Sequence, residues 1–148
     1  MKTRAFFDAA RGRIATFPAT EGLARELASR GIPLAIASSS THEIIDFELE
    51  ATGLASLFPV RVSATDVSRG KPEPDVFLEA ARHLGVDPRR CVVFEDSLFG
   101  LLGAKAAGSF VVSLPAPGVE LARFSAADIL VPGGPAAAVS ELLRIFPR

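Results

Sequence analysis

The chain has 148 residues, 49% hydrophobic and 22% charged, values that belong to a folded domain with a real core and exclude a disordered chain. Lys and Arg total 16 against 17 Asp and Glu, a formal net charge of −1, and the basic residues never form a run. That distribution lacks the footprint of a nucleic-acid partner or an anionic membrane surface, so neither is expected.

No apolar stretch approaches the ~20 residues that span a bilayer. The start of the chain, Met1 to Asp8, lacks the longer apolar core of a signal peptide. The one cysteine, Cys91, cannot form an internal disulfide, which fits a reducing compartment. A cytoplasmic protein is expected. Cys91 opens the apolar run Cys91-Val92-Val93-Phe94 and reads as a small hydrophobe rather than a reactive thiol.

In chain order, Thr20 to Arg30 carries Leu23, Ala24, Leu27 and Ala28 at helical spacing, with Gly31 as the stop. Pro33 to Ala37 is the first clear strand and runs into Ser38, Ser39 and Ser40. His42 to Thr52 reads as a second helix ending near Gly53, and Val60 to Ser63 as a short strand. A helix over Pro74 to Leu84 follows, then a buried strand over Cys91 to Phe94. Next come a helix from about Leu98 to Ala107, a strand over Phe110 to Leu114 and a short strand over Asp128 to Val131. A last helix is expected from about Pro135 to Ile145.

Strands separated by helices of this length predict a doubly wound α/β fold, a parallel sheet with helices on both faces. Ligands of such sheets sit at the carboxyl ends of the strands. The polar residues just after each apolar run therefore matter most.

Three constellations stand there. Ser38, Ser39 and Ser40 precede a helix, where a hydroxyl and free N–H groups suit a phosphate oxygen, or where one serine simply caps the helix. In Arg69-Gly70-Lys71-Pro72-Glu73-Pro74-Asp75 the prolines and Gly70 can hold Lys71 in one direction. A phosphoryl site needs such a cation to offset oxyanion charge, although an isolated Gly-Lys-Pro is equally an ordinary turn. Glu95 and Asp96 end the strand over Cys91 to Phe94. Adjacent carboxylates oppose joint ionisation unless a hard cation such as Mg2+ relieves them, the alternative being an acidic start to the following helix.

Taken in order, Leu34-Ala35-Ile36-Ala37-Ser38-Ser39-Ser40, Gly70-Lys71-Pro72-Glu73-Pro74-Asp75 and Val92-Val93-Phe94-Glu95-Asp96-Ser97, with Gly100 and Ala106-Ala107-Gly108, resemble motifs II, III and IV of the haloacid dehalogenase superfamily. The likeness is to its β-phosphoglucomutase-like phosphatase and mutase branch, and runs from about Phe17 to the C-terminus. The resemblance implies a Rossmann-like core over residues 18–148. It implies that Ser38, with an N–H near Ser39, binds the transferring phosphoryl group, and that Lys71 neutralises it. Asp96 would ligate Mg2+, with Glu95 holding the ion directly or through water.

The family's first motif, the Asp-x-Asp-Gly-Thr segment that carries the nucleophile on the central strand, has no counterpart here, nor has most of the helical cap. Residues 1–17 have two readings. Phe6, Ala10, Ile14 and Phe17 fall at helical spacing, as at the end of a cap helix. Alternatively Arg4 to Phe7 is a degenerate first strand and Asp8 the nucleophile, in Asp8-Ala9-Ala10-Arg11-Gly12. On the helix reading the sheet lacks its middle strand, and self-association through unpaired edges follows.

The resemblance implies Mg2+-dependent phosphoryl transfer or hydrolysis of a small phosphomonoester, a sugar phosphate, through an aspartyl phosphate in the complete protein. The rival expectation is a non-catalytic remnant that keeps the phosphate and metal site. His42 reads as a surface residue at a helix start, or as a substrate contact.

Overall fold

Polar punctuation and apolar runs set the elements. In the computed structural model, which describes residues 7–10, 12–137 and 139–146, residues 7–10 form a helical turn that precedes nine regular elements. These are α1 (Pro18–Ser29), β1 (Ala35–Ala37), α2 (His42–Ala51), β2 (Val60–Val62), α3 (Asp75–Leu84), β3 (Val92–Glu95), α4 (Leu98–Ala106), β4 (Phe110–Ser113) and β5 (Ile129–Leu130). Pro18 opens α1, where its fixed φ is already helical. Gly85, at φ 69°, closes α3 in the left-handed region that a side chain would resist.

Every ladder is parallel, as the alternation of strands and helices predicts. β1 pairs with β2 in the register Ala35 to Val60 and Ala37 to Val62. β4 lies between β3 and β5, with Val92 opposite Phe110 and Ser113 opposite Leu130. The strands do not form one sheet. They form a two-stranded and a three-stranded sheet, and among the described residues no strand joins β1 to β3.

Alternation along the strands sends residues to two apolar cores, one on each face. Val62, Val76, Phe77, Leu101, Ala104 and Val111 centre one core, with Ala35, Ala37 and Val93 packed against it. Leu23, Leu27, Val112, Leu114, Val139 and Leu142 centre the other, with Leu34, Val92 and Phe94 against it. In α3 the apolar stripe Val76, Phe77, Ala80 and Ala81 is buried, at the i, i+1, i+4, i+5 spacing of one helix face. Helices therefore hold the two sheets together although their strands do not meet.

Between the sheets lies a cleft of about 790 Å³, walled by residues 34–37 on one side and 91–95 on the other. α3 closes one face through Phe77, Ala80 and Ala81, and α1 the other through Leu23 and Leu27. Consistent with that opening, β1 and most of β3 are only half-buried.

The last helix expected from the sequence is not built. Its place is taken by 3-10 segments at Gly134–Ala136 and Ser140–Ile145. Gly133 and Gly134 have φ of 103° and 73°, and Ala137 is extended, so the chain cannot run on as one helix. Val139 and Leu142 are buried three residues apart, the 3-10 repeat, and with Ile145 they dock on the α1 core. Among the described residues no helix is long and apolar enough to cross a membrane.

Candidate functional site

Lys71 ties the two half-sheets together at their carboxyl ends. Its ammonium donates to the Ala37 carbonyl at the end of β1, 3.1 Å away, and pairs with Glu95 Oε1 at the end of β3. The Glu95 side chain is buried, at 8% exposure, and that of Lys71 mostly so, at 12%, with the ammonium also 4.9 Å from the centre of the Phe77 ring. A desolvated ion pair of this kind holds only when further hydrogen bonds complete it. Ser97 Oγ donates to Glu95 Oε2 at 3.1 Å and also accepts from the Gly100 N–H at 3.0 Å as the cap of α4.

Two glycines of α4 make the pair sterically feasible. A Cβ on Gly100 would stand 2.0 Å from the Glu95 carboxylate, and one on Gly103 would stand 3.0 Å from the Glu73 carbonyl and the Phe77 ring. Gly100 leaves room for the carboxylate, and Gly103 lets the helix approach the Lys71 loop. The Lys71–Pro72 peptide in that loop is cis.

Asp96 and Glu95 have opposite surroundings, as neighbours on an extended chain should. Asp96 is exposed and, among the described residues, has no hydrogen-bond or ion-pair partner. The serines are arranged locally. Ser38 N–H donates to Val62 O at 2.9 Å, and Ser38 Oγ accepts from the Ser40 N–H at 3.0 Å. Ser63 Oγ, fully buried after β2, donates to Ser40 O at 2.8 Å and pins the loop. Thr41, not a serine, occupies the cap position of α2, without a side-chain cap bond. The helix-cap alternative for these serines is therefore not what the chain builds.

A shallow depression of about 310 Å³ lies above this region, lined by Ser39, Lys71, Ser97, Leu98, Phe99 and Arg123. It brings together Ser39 and Lys71 from the sequence-expected set. Ser97, Phe99 and Arg123 line it as well, although the motif gives Ser97 no role and nothing in the sequence around Phe99 or Arg123 signals a site. Phe99 is 61% exposed although it is large and apolar.

Other expected residues lie elsewhere. His42 Nε2 is 2.7 Å from Asp66 Oδ2. The Ser63 N–H beside the Asp66 carboxylate, with a smaller contribution from His42, holds it below the usual range. Burial, with a smaller effect of the Asp87 charge, pushes the Cys91 thiol up. Asp8 is exposed on the helical turn of residues 7–10, whose Phe7 ring lies 4.5 Å from that of Phe47. Residues 4–6 of the alternative strand lie outside the described residues.

Of the two carboxylates expected to hold a hard divalent ion, one is open to it. Asp96 has a carboxylate free of protein partners among the described residues, whereas both Glu95 oxygens are engaged, by Lys71 and Ser97. Mg2+ takes one or two carboxylates and keeps several waters. Among the described residues no cluster of three or more His, Cys, Asp or Glu side chains exists to hold a metal through protein ligands alone.

Comparison with known proteins gives the same family. The family model of the haloacid dehalogenase-like hydrolases matches residues 3–108. The bifunctional riboflavin kinase/FMN phosphatase of Arabidopsis thaliana is 37% identical over 126 residues, 84% of this chain and 33% of that protein. Hexitol phosphatase A of Escherichia coli is 36% identical over 118 residues, 80% of this chain and 54% of its own length. A crystal structure of a putative β-phosphoglucomutase from Thermotoga maritima superposes with a TM-score of 0.78 at 30% identity, covering 87% of this chain and 60% of that one. The chain thus spans from a third to three fifths of these relatives. With ordered motifs on the matching strand ends and a family match over most of its length, the chain belongs to the haloacid dehalogenase-like hydrolases.

Proposed function

We propose that this chain forms the phosphate- and Mg2+-holding half of a site for phosphoryl transfer from a small phosphomonoester, with hydrolysis through an aspartyl phosphate in the complete enzyme. The observation that carries this reading is the placement of Lys71, which reaches the carboxyl ends of β1 and β3 at once, beside Glu95 and in the same depression as Ser39. Sugar phosphates are the first substrates to try, since the relatives include a hexitol phosphatase.

In this proposal the Ser38 hydroxyl and the N–H near Ser39 hold phosphoryl oxygens, and Lys71 offsets their charge. Asp96 holds Mg2+, with Glu95 contributing directly or through water, and the bound ion supplies further neutralisation of the phosphoryl oxygens. Residues 18–148 are the core, and residues 1–17 the end of a cap helix, a reading that the helical turn at 7–10 supports. The attacking carboxylate then comes from a part of the complete protein other than Asp8. The protein works in the cytoplasm, on soluble metabolites.

A second reading, a phosphate- and metal-binding module without turnover, draws on the same exposed position of Asp8. Titration calorimetry with orthophosphate and Mg2+, beside a phosphatase assay on hexitol phosphates, separates the two. Both readings expect orthophosphate affinity to fall in Lys71→Met and Mg2+ binding to vanish in Asp96→Asn. Turnover by the complete protein that survives Asp8→Asn supports the enzyme reading, and binding without turnover by the complete protein supports the module. Phosphate and Mg2+ binding untouched by both substitutions would sink the site itself.

A further inference from the structure

We propose that Arg123 is a specificity-determining residue of the phosphoryl site, receiving a second anionic group that the substrate carries away from its transferring phosphoryl. The inference rests on the phosphate reading and deepens it by naming the chemistry of the substrate's far end.

Arg123 and Ser39 reach the shared depression from different half-sheets. Ser39 follows β1 in the two-stranded sheet, whereas Arg123 stands in the 3-10 segment Leu121–Phe124, between β4 and β5 of the three-stranded sheet. The depression that holds both, with Lys71, therefore bridges the two sheets at their carboxyl ends. The backbone under Arg123 is held. Phe124 is buried in the core with Leu101, Ala104 and Val111, and its carbonyl accepts from the Ala127 N–H at 3.0 Å. The Arg123 N–H donates to the Glu120 carbonyl at 3.2 Å, while the side chain stays exposed.

Charge balance separates the two cations of the lining. Lys71 faces Glu95, so only part of its positive charge is left for a ligand. Arg123 has no side-chain hydrogen bond or ion pair among the described residues, and keeps all five of its donors. A guanidinium stays charged at physiological pH and offers two parallel N–H groups to a carboxylate or a phosphate.

The rest of the lining suits a short carbon skeleton. Leu98 and the 61%-exposed Phe99 give apolar surface, and Ser97 spends its hydroxyl on Glu95 and the cap of α4. A volume of about 310 Å³ lies at the small end of ligand sites, which run from about 300 to 1,000 Å³. A compact phosphomonoester with its phosphoryl group on Ser39 and Lys71 fills that space and turns its other end to Arg123.

Titration calorimetry of the full chain with Mg2+ present tests this with matched probes. Orthophosphate reports the phosphoryl site alone. Fructose 6-phosphate against fructose 1,6-bisphosphate adds a second phosphate, and glycerol 3-phosphate against 3-phosphoglycerate adds a carboxylate. The parent should bind orthophosphate and prefer the second anion in at least one pair by about tenfold, and the pair that shows it names the group. Arg123→Gln should abolish most of that preference, as expected for one charge-assisted contact, and Arg123→Lys should restore part of it. Both variants should melt with the parent, since the side chain bonds to nothing in the described fold. Arg89→Gln removes the same charge in the turn that enters β3, at the other end of the strands, and should leave the preference intact. Equal affinity within both pairs, or a preference that survives Arg123→Gln, overturns the inference while the phosphate site stands. So does a preference cut as deeply by Arg89→Gln, or an orthophosphate affinity that falls in Arg123→Gln as far as that of the second-anion probe. Orthophosphate that fails to bind the parent overturns both readings.

Discussion

Replacing Gly100 by alanine tests whether the buried ion pair dictates the sequence of α4. The new Cβ would lie 2.0 Å from the Glu95 carboxylate, so the carboxylate must leave its place. It is the end of a flexible side chain and can swing away, but in doing so it abandons Lys71 and Ser97. Lys71, 12% exposed, then keeps only the Ala37 carbonyl and the Phe77 ring. Uncoupling a buried pair costs about 3–5 kcal/mol when one charge stays buried, and less here because Glu95 can reach water, about 2–4 kcal/mol. Alanine returns about 1 kcal/mol of helix propensity, which leaves a net loss of about 1–3 kcal/mol.

Urea unfolding of Gly100→Ala, read beside Gly22→Ala, isolates the effect. Gly22 lies inside α1, where an added Cβ would meet nothing within 4 Å, so its replacement should stabilise by up to about 1 kcal/mol. In a Glu95→Ala background the clash is gone, and Gly100→Ala should become neutral or stabilising. If Gly100→Ala matches Gly22→Ala in the parent chain, or stays destabilising without Glu95, the carboxylate is not what keeps that position glycine.

Asp128 ties β4 to α4. Its carboxylate accepts from the Val111 N–H at 2.7 Å and from Lys105 at 2.8 and 3.0 Å. Burial pushes its pKa up, yet the Lys105 and Val111 bonds outweigh that and leave it lowered. A lowered carboxylate contributes stability above the unfolded value, about 3.9, and loses it as pH falls through the folded one. Asp128→Ala should cost about 1–2 kcal/mol at pH 7 in urea unfolding, with the difference from the parent shrinking below pH 4. Cys91 has its thiol pushed up by burial and by Asp87, so alkylation at pH 7 should be slower than that of a free thiol in water and should accelerate into the alkaline range, followed by mass spectrometry.

Much of the fold is legible because each strand is an apolar run closed by a polar residue, and each helix has a stripe and a stop. Val76, Phe77, Ala80 and Ala81 announce a buried helix face, and they are buried. The C-terminal stretch misleads for a physical reason. Three alanines and two leucines carry helix propensity, but the glycine pair before them and the extended Ala137 break the run into 3-10 pieces that dock by tertiary contact. Of the site, Glu95 and Asp96 stand out as charges at a strand end, and Lys71 as a cation in a loop stiffened by prolines. The pairing of Lys71 with Glu95 does not, since it depends on a loop meeting the end of a strand across 24 residues of chain. Arg123 and Phe99 reach the same depression from a 3-10 segment and a helix start without any local pattern to mark them.

Asp96 offers the sharpest separation of structural from ligand-holding roles. Its exposure and lack of partners mean that the folded chain gains nothing from its charge, so Asp96→Asn should leave stability without Mg2+ within about 0.5 kcal/mol of the parent. Glu95→Gln, by contrast, removes the charge facing Lys71 and should destabilise the chain whether or not Mg2+ is present. A ligand that binds only the folded state stabilises by RT ln(1 + [L]/Kd), about 2.7 kcal/mol at a hundredfold excess over Kd. The melting temperature of the parent should therefore climb with Mg2+ while that of Asp96→Asn stays flat, measured by differential scanning fluorimetry at constant ionic strength. A Mg2+ response of equal size in both chains would remove Asp96 from the metal site. A large loss of stability in the ion-free variant would show instead that Asp96 serves the fold.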